Sequence, residues 1–190
     1  VNPTLALAAR VQGHLAAEGV RCAIIGAIAM IARGYERTTQ DLDLATSVPL
    51  ATLEAVARRL RDDNLEAIVR YPDDEDPLFG VIDVRAGEKT DLVQVVNYLP
   101  SKPLGRATIE GAEALPGLMI PVASLNHLIA LKLYAWNGFH LNKPGRDILA
   151  MLRANPDIDM GALRRVCTEV RVDRLLDAFL SRFPPGASQA

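Results

Sequence analysis

Cysteine is almost absent from this chain. Cys22 and Cys167 are the only two, far apart and in no metal-ligand spacing, which excludes a disulfide scaffold and a zinc ribbon and suits a reducing compartment. Charge of one sign is lacking too. Against 23 Asp and Glu stand 21 Lys and Arg, a net charge of −2 that excludes a blanket polyanion binder, so any nucleic-acid contact must be a local patch. Only four of the basic residues are lysines, at positions 89, 102, 132 and 143. No apolar run approaches the roughly 18 residues of a membrane span before Arg, Lys or Gly breaks it. Val1-Asn2-Pro3 does not open a basic and then apolar leader. These absences predict a cytoplasmic protein with no membrane partner. Internal repeats and low-complexity tracts are missing as well.

What is present is the composition of a folded protein: 49% of the 190 residues are hydrophobic and 23% charged, enough for one sizeable core. Asn2-Pro3 predicts an N-cap with proline in the first turn, and Leu5, Ala8, Ala9, Val11 and Leu15 recur at helical spacing until Gly19. Val20 to Ile25 predicts a strand, Gly26 a turn and Ala27 to Ala32 a short helix. Asp41 to Ala45 alternates polar and apolar with period two, a strand; Pro49 to Asp62 carries an amphipathic helical pattern. Further strands are expected at Glu66 to Arg70, Phe79 to Arg85 and Thr90 to Asn97, the last two joined by the hairpin sequence Ala86-Gly87-Glu88-Lys89. Pro72 to Pro77 reads as an acidic solvated loop. Residues 98 to 123, with four prolines, read as an irregular connector. Helices follow at Leu125 to Trp136, Gly145 to Arg153, Met160 to Val170 and Asp173 to Phe183. The expected fold class is α+β: a mixed sheet with flanking helices over residues 1–123 and a C-terminal helical bundle over 124–190, in one compact unit.

The sharpest chemical feature is Asp41-Leu42-Asp43-Leu44. On a strand, the carboxylates at i and i+2 share one face while the leucines turn to the core. Two like charges held side by side repel, and a divalent cation between them keeps both ionised; hard oxygen donors suit Mg²⁺ or Mn²⁺. Plain surface carboxylates fit the same pattern. Gly26 stands at a strand-to-helix turn where free backbone N–H groups hold phosphate oxygens, or where a tight turn alone requires it. Asp91 opens a β-run and would join the same face if that strand lies beside the first. Lys132 interrupts an apolar helical stripe of Leu125, Leu128, Ile129, Ala135 and Trp136, either as a cation for phosphate or as a snorkelling side chain.

The stretch Ile25-Gly26-Ala27-Ile28-Ala29-Met30, then Gly34, then Arg37-x-Thr39-x-Asp41-Leu42-Asp43-Leu44 resembles the nucleotidyltransferase superfamily of DNA polymerase β-like fold. Within it, the resemblance is to the minimal branch that includes the AbiEii-type toxins of toxin–antitoxin systems. Lys132 in Ala130-Leu131-Lys132-Leu133 and Arg146-Asp147-Ile148-Leu149 are similar to that branch's later motifs. The resemblance implies a catalytic core over residues 1–123. It implies that Asp41 and Asp43 hold two Mg²⁺ ions, with Asp91 as a third carboxylate that activates the acceptor hydroxyl. Gly26, Ala27, Arg37, Thr39, Lys132 and Asp147 would bind the nucleotide, Lys132 at the β- and γ-phosphates. Asp147 would orient Lys132 or a metal-bound water, or serve the dipole at a helix start; Arg37 would brace the loop before Asp41 or touch phosphate.

The implied activity is transfer of a nucleoside monophosphate from an NTP to an acceptor hydroxyl, with release of pyrophosphate. The acceptor would be tRNA or a protein if the chain is a toxin countered by an antitoxin. Two other readings stand beside it: a small-molecule, antibiotic-type nucleotidyltransferase, and a catalytically degenerate nucleotide-binding module. The sequence departs from the family pattern where a second Gly or a Ser often follows the first glycine, since Ala27 and Ala29 stand there. A carboxylate often found three residues beyond the Asp147 position is replaced by Ala150. The histidines His14, His127 and His140 have no ligand spacing and read as structural or solvated.

Overall fold

The computed structural model describes residues 2–35, 39, 41–71, 78–87, 92–136, 138 and 140–184. Helix α1 spans Pro3–Ala17, and the Asn2 side chain accepts from the Thr4 N–H at 2.9 Å, the capping expected of Asn before Pro. It buries Leu7, Ala8, Val11 and Leu15. Strand β1 covers only Ala23–Ile25, shorter than its β-prone run, because its register with the next strand extends from Ala23↔Ala45 to Ile25↔Asp43 and no further. Cys22 is nonetheless buried, and burial pushes its thiol up to about 11.

Helix α2 follows at Gly26–Ala32, strand β2 at Asp41–Thr46 and helix α3 at Leu50–Asp62. Strands β3 (Glu66–Arg70), β4 (Leu78–Arg85) and β5 (Leu92–Tyr98) complete a five-stranded sheet of order β1-β2-β5-β4-β3. Only β2 and β5 run parallel; the other neighbours are antiparallel. The predicted hairpin joins β4 to β5, but Glu88 to Asp91 lie outside the described residues, as does the acidic loop from Pro72 to Pro77. One face of the sheet supplies core: Leu42, Leu44, Ile82, Val84, Val93 and Val95 are all 0% exposed. At about 1.5–3 kcal/mol per buried aliphatic side chain, a one-residue slip of β2 would forfeit both leucines and drive two aspartates inward.

The connector is not irregular throughout. Helix α4 spans Pro103–Glu110. The prolines that read as breaks include Pro103 in its first turn, where a missing N–H costs nothing, and Leu104, Ala107 and Thr108 face inward. Beyond it, Glu113 and Val122 exchange both backbone hydrogen bonds at 2.8 Å, and the Ile24 N–H donates to the Pro121 carbonyl at 2.8 Å, so the connector extends the sheet past β1.

The helical half begins with α5 (Leu125–Tyr134), followed by α6 (Lys143–Ala154), α7 (Met160–Glu169) and α8 (Asp173–Arg182). Ser124, Asn142 and Asp159 cap the first three with their side chains. Helix α5 is the hub: Leu128, Ile129, Ala130 and Leu133 are at most 1% exposed, and it packs against α2, α4, α6, α7 and α8. Trp136 meets Phe179 edge-on at 5.2 Å between ring centroids. A single hydrophobic cluster runs from α1 through the sheet to α8, so the two halves share one core. Among the described residues, no helix is long and apolar enough to cross a membrane.

Candidate active site

The site starts from a backbone contact. Ile25 is in register with Asp43, so the chain leaving β1 turns into α2 directly beside that carboxylate. Gly26 makes the turn at φ +66°, and a Cβ there would lie 1.9 Å from Asp43 Oδ2. Both the dihedral and the space therefore demand glycine. Ala27 follows in the first turn of α2, and Ala29 is fully buried beneath it.

Strand alternation puts Asp41 and Asp43 on one face, Asp41 exposed and Asp43 half-buried, with Leu42 and Leu44 on the other. Thr39 holds the start of the strand: its hydroxyl donates to the Asp41 carbonyl and accepts from the Asp41 N–H, each at 3.2 Å. Asp41 and Asp43 are hard oxygen donors suited to a divalent cation. Among the described residues no group of three or more His, Cys, Asp or Glu side chains is placed to hold a metal ion. Asp91 and Arg37 lie outside the described residues.

Asp43 and Gly26 line a cavity of about 300 Å³ between the sheet and α5, shared with Tyr98, Lys132 and Tyr134 and floored by Leu78, Val96, Leu128 and Leu131. Lys132 enters from the helical side and donates to Asp147 Oδ2 at 2.7 Å. The Lys132 side chain is 21% exposed and that of Asp147 only 6%. Asp147 sits in the second turn of α6, and its carboxylate accepts from Lys132. A cation on one wall attracts an anion, whereas the Asp43 carboxylate on the other would face that anion favourably only through a divalent cation held between them.

Several residues of this site were not anticipated. Tyr98 lies on the Asp43 face through the alternation Leu92, Gln94, Val96, Tyr98, a pattern legible in the sequence. Burial pushes its phenol far above the ordinary value, and Asp43 and Tyr134 add to the shift. Lys102 donates to the Tyr134 hydroxyl at 3.4 Å, a contact only the placement of α4 against α5 creates. Gln94 is in register with both Asp43 and Asp83, and its amide donates to Asp83 Oδ1 at 2.6 Å. Arg70 pairs with Asp83 at 2.7 Å. Burial alone would raise the Asp83 pKa, but the Arg70 and Gln94 hydrogen bonds outweigh it and hold the carboxyl below its usual range. A polar row thus crosses the sheet from Asp43 to Arg70.

This mixed five-stranded sheet with helices on its flanks has a nucleotidyltransferase-like fold. No protein-family profile matches the chain. No curated protein matches its sequence either. The solution structure of the antibiotic-resistance factor ANT(2″)-Ia matches with a TM-score of 0.52 at 18% identity, over 96% of this chain and 95% of that one. The crystal structure of ANT(2″)-Ia in complex with adenylyl-2″-tobramycin matches with a TM-score of 0.50 at 16% identity, covering 94% of this chain and 98% of the other. An antigenic nucleotidyltransferase-like protein from Paracoccidioides brasiliensis matches at 0.52 and 16% identity, over 94% and 93% of the two chains.

Proposed function

We propose that this protein is a divalent-metal-dependent nucleotidyltransferase that moves a nucleoside monophosphate from an NTP to an acceptor hydroxyl. The observation that carries the reading is the convergence of Gly26, Asp43 and Lys132 on one cavity, Lys132 being held by Asp147 and Asp41 lying on the same strand face as Asp43.

In this reading the triphosphate lies between β2 and α5. The backbone at Gly26 and Ala27 approaches its oxygens closely, and Lys132, held by Asp147, neutralises charge on the β- and γ-phosphates. Asp41 and Asp43 would hold Mg²⁺ or Mn²⁺, which supplies charge neutralisation at the α-phosphate and at the leaving oxygen. The acceptor oxygen bonds to the α-phosphorus, the bond to the β-phosphate bridging oxygen breaks, and pyrophosphate leaves with that electron pair. The acceptor proton passes to Asp91, the role the sequence resemblance implies for it. Thr39 steadies the segment that presents Asp41, and Arg37 would brace that segment or touch phosphate, the two roles the sequence resemblance implies for it.

A small-molecule acceptor is a second reading, favoured by the near-complete mutual coverage with ANT(2″)-Ia. Ala27 and Ala29 favour a third, a module that binds nucleotide without turnover. The toxin reading, with a tRNA or protein acceptor and a cognate antitoxin, rests on the sequence resemblance. Growth arrest on expression, relieved by a neighbouring gene's product, would support it.

The test is incorporation of label from an α-phosphate-labelled NTP with Mg²⁺ or Mn²⁺ present. Activity is expected in the native chain and lost in Asp41→Ala and in Asp43→Ala. Full activity in both variants would overturn the assignment of the two carboxylates.

A further inference from the structure

Arg33 stands where three parts of the fold meet. It is the C-cap of α2, the helix that Gly26 opens. Its guanidinium reaches across to the connector: Nη1 pairs with Glu113 Oε2 at 2.7 Å, and Nη2 donates to the Ala123 carbonyl at 3.1 Å and to the Val122 carbonyl at 3.5 Å. Ala123 immediately precedes Ser124, the cap of α5, and α5 carries Lys132. The Arg33 side chain is only 16% exposed, so these bonds are made largely out of water, where they are stronger.

The backbone that Arg33 grips is already tied to the other end of α2. The Ile24 N–H donates to the Pro121 carbonyl at 2.8 Å, and the Ala123 N–H donates to the Ile24 carbonyl at 2.9 Å. Ile24 lies on β1, just before the Gly26 turn. Helix α2 is therefore held to one stretch of chain, residues 121–123, through β1 at its start and through Arg33 at its finish. With seven residues it is too short to be stable on its own hydrogen bonds, so its direction is set by what holds its ends.

The geometry selects the residue type. One planar fork reaches a carboxylate and a carbonyl together, whereas a lysine ammonium is a single point that reaches one or the other. Arginine also leaves a defect, because its Nε is buried without a hydrogen-bond partner. An unsatisfied buried donor lowers stability, so its retention weighs toward a role beyond stability.

We propose that Arg33 is a positioning residue of the candidate active site: by pinning the end of α2 to the root of α5, it sets the separation between the Gly26 turn and Lys132, and with it the fit of a triphosphate between them. The inference rests on the nucleotidyl-transfer reading for its ligand, but the clamp itself is tested without one.

The experiment makes two measurements on the full native chain and on Arg33→Gln, Arg33→Lys and Glu113→Gln, each first shown to fold by a thermal melt. Glu113 is half exposed, so its variant breaks the clamp from the solvent side. In amide hydrogen exchange without ligand, α2 and the first turn of α5 should exchange about tenfold faster in Arg33→Gln while β4 and β5 keep native rates. Equal acceleration throughout the chain would mean that Arg33 only stabilises the fold, and would overturn the proposal. In calorimetric titration with inorganic triphosphate and Mg²⁺, the Kd should rise about tenfold in both Arg33 variants and less in Glu113→Gln. Millimolar guanidinium ion should restore affinity in Arg33→Gln. A merely structural role would reduce the fraction of binding-competent chains and leave their Kd alone, so a native Kd in folded Arg33→Gln would also overturn the proposal. A native chain that binds no triphosphate would sink the nucleotidyl-transfer reading, and the exchange pattern would still decide whether Arg33 clamps α2 to α5.

Discussion

Oδ2 of Asp43 occupies the space that a Cβ on Gly26 would need, at a separation of 1.9 Å. The carboxylate and the strand-to-helix turn are one unit: the turn is possible because residue 26 has no side chain, and Asp43 is fixed because the turn closes over it. Gly26→Ala should therefore cost about 1–2 kcal/mol for the left-handed backbone alone, before the clash is relieved. Displacing Asp43 by even an ångström should lower nucleotide transfer about a hundredfold. A thermal melt and a turnover assay check both; native-like values in each would show that the contact is not critical.

The Lys132–Asp147 pair should behave as a coupled unit. Lys132→Met deprives a nearly buried carboxylate of its cation and is expected to destabilise the fold by about 3 kcal/mol. Denaturant unfolding of the two single variants and of Lys132→Met with Asp147→Leu should give a coupling of about 1–3 kcal/mol. Additive effects would mean that the 2.7 Å contact carries no energy.

Asn97 should be a stability hot point away from the chemistry. It is fully buried, donates to the Val48 and Phe79 carbonyls and accepts from the Val48 N–H and the Thr46 hydroxyl. Asn97→Ala takes the side-chain partner from the Val48 N–H and carbonyl in the turn before α3 and from the Phe79 carbonyl in β4, and a loss of about 2–3 kcal/mol is expected in urea unfolding. A change under about half a kcal/mol would contradict the network.

His127 should make stability depend on pH. Its ring is buried against Gly111 and Ser124, and burial lowers its pKa from the ordinary 6.5, only partly opposed by Glu169 and Glu113. The folded state thus keeps the ring neutral where the unfolded chain already binds a proton. Its stabilising share is complete above about 6.5 and is lost as the pH falls through the lower folded value. Melting temperatures of the native chain and His127→Gln, followed from neutral to mildly acid pH, should converge as the pH falls. Parallel curves would rule out His127 as the source.

Local order was legible wherever neighbours in sequence dictate it. The caps at Asn2, Ser124 and Asp159, the period-two strand at Asp41 and the amphipathic α3 all follow from side-chain type and spacing. Pro103 misled because proline breaks a helix interior but starts a helix at no cost, and only the burial of Leu104 and Ala107 distinguishes the two cases. The strand at Val20 came out long because β-propensity marks suitable residues, whereas strand length is set by the partner's register.

By itself the sequence determined the strand-borne aspartate pair, the glycine turn before it and the lysine in an apolar stripe, because each is a matter of residue type at a fixed period. Tertiary structure alone decided that Lys132 meets Asp147 from another helix and that Tyr98 and Tyr134 share a cavity with Asp43. Those contacts join residues 15 or more positions apart. They form because the packing of α5 against α2, α4 and α6 buries apolar faces and carries the polar groups with them.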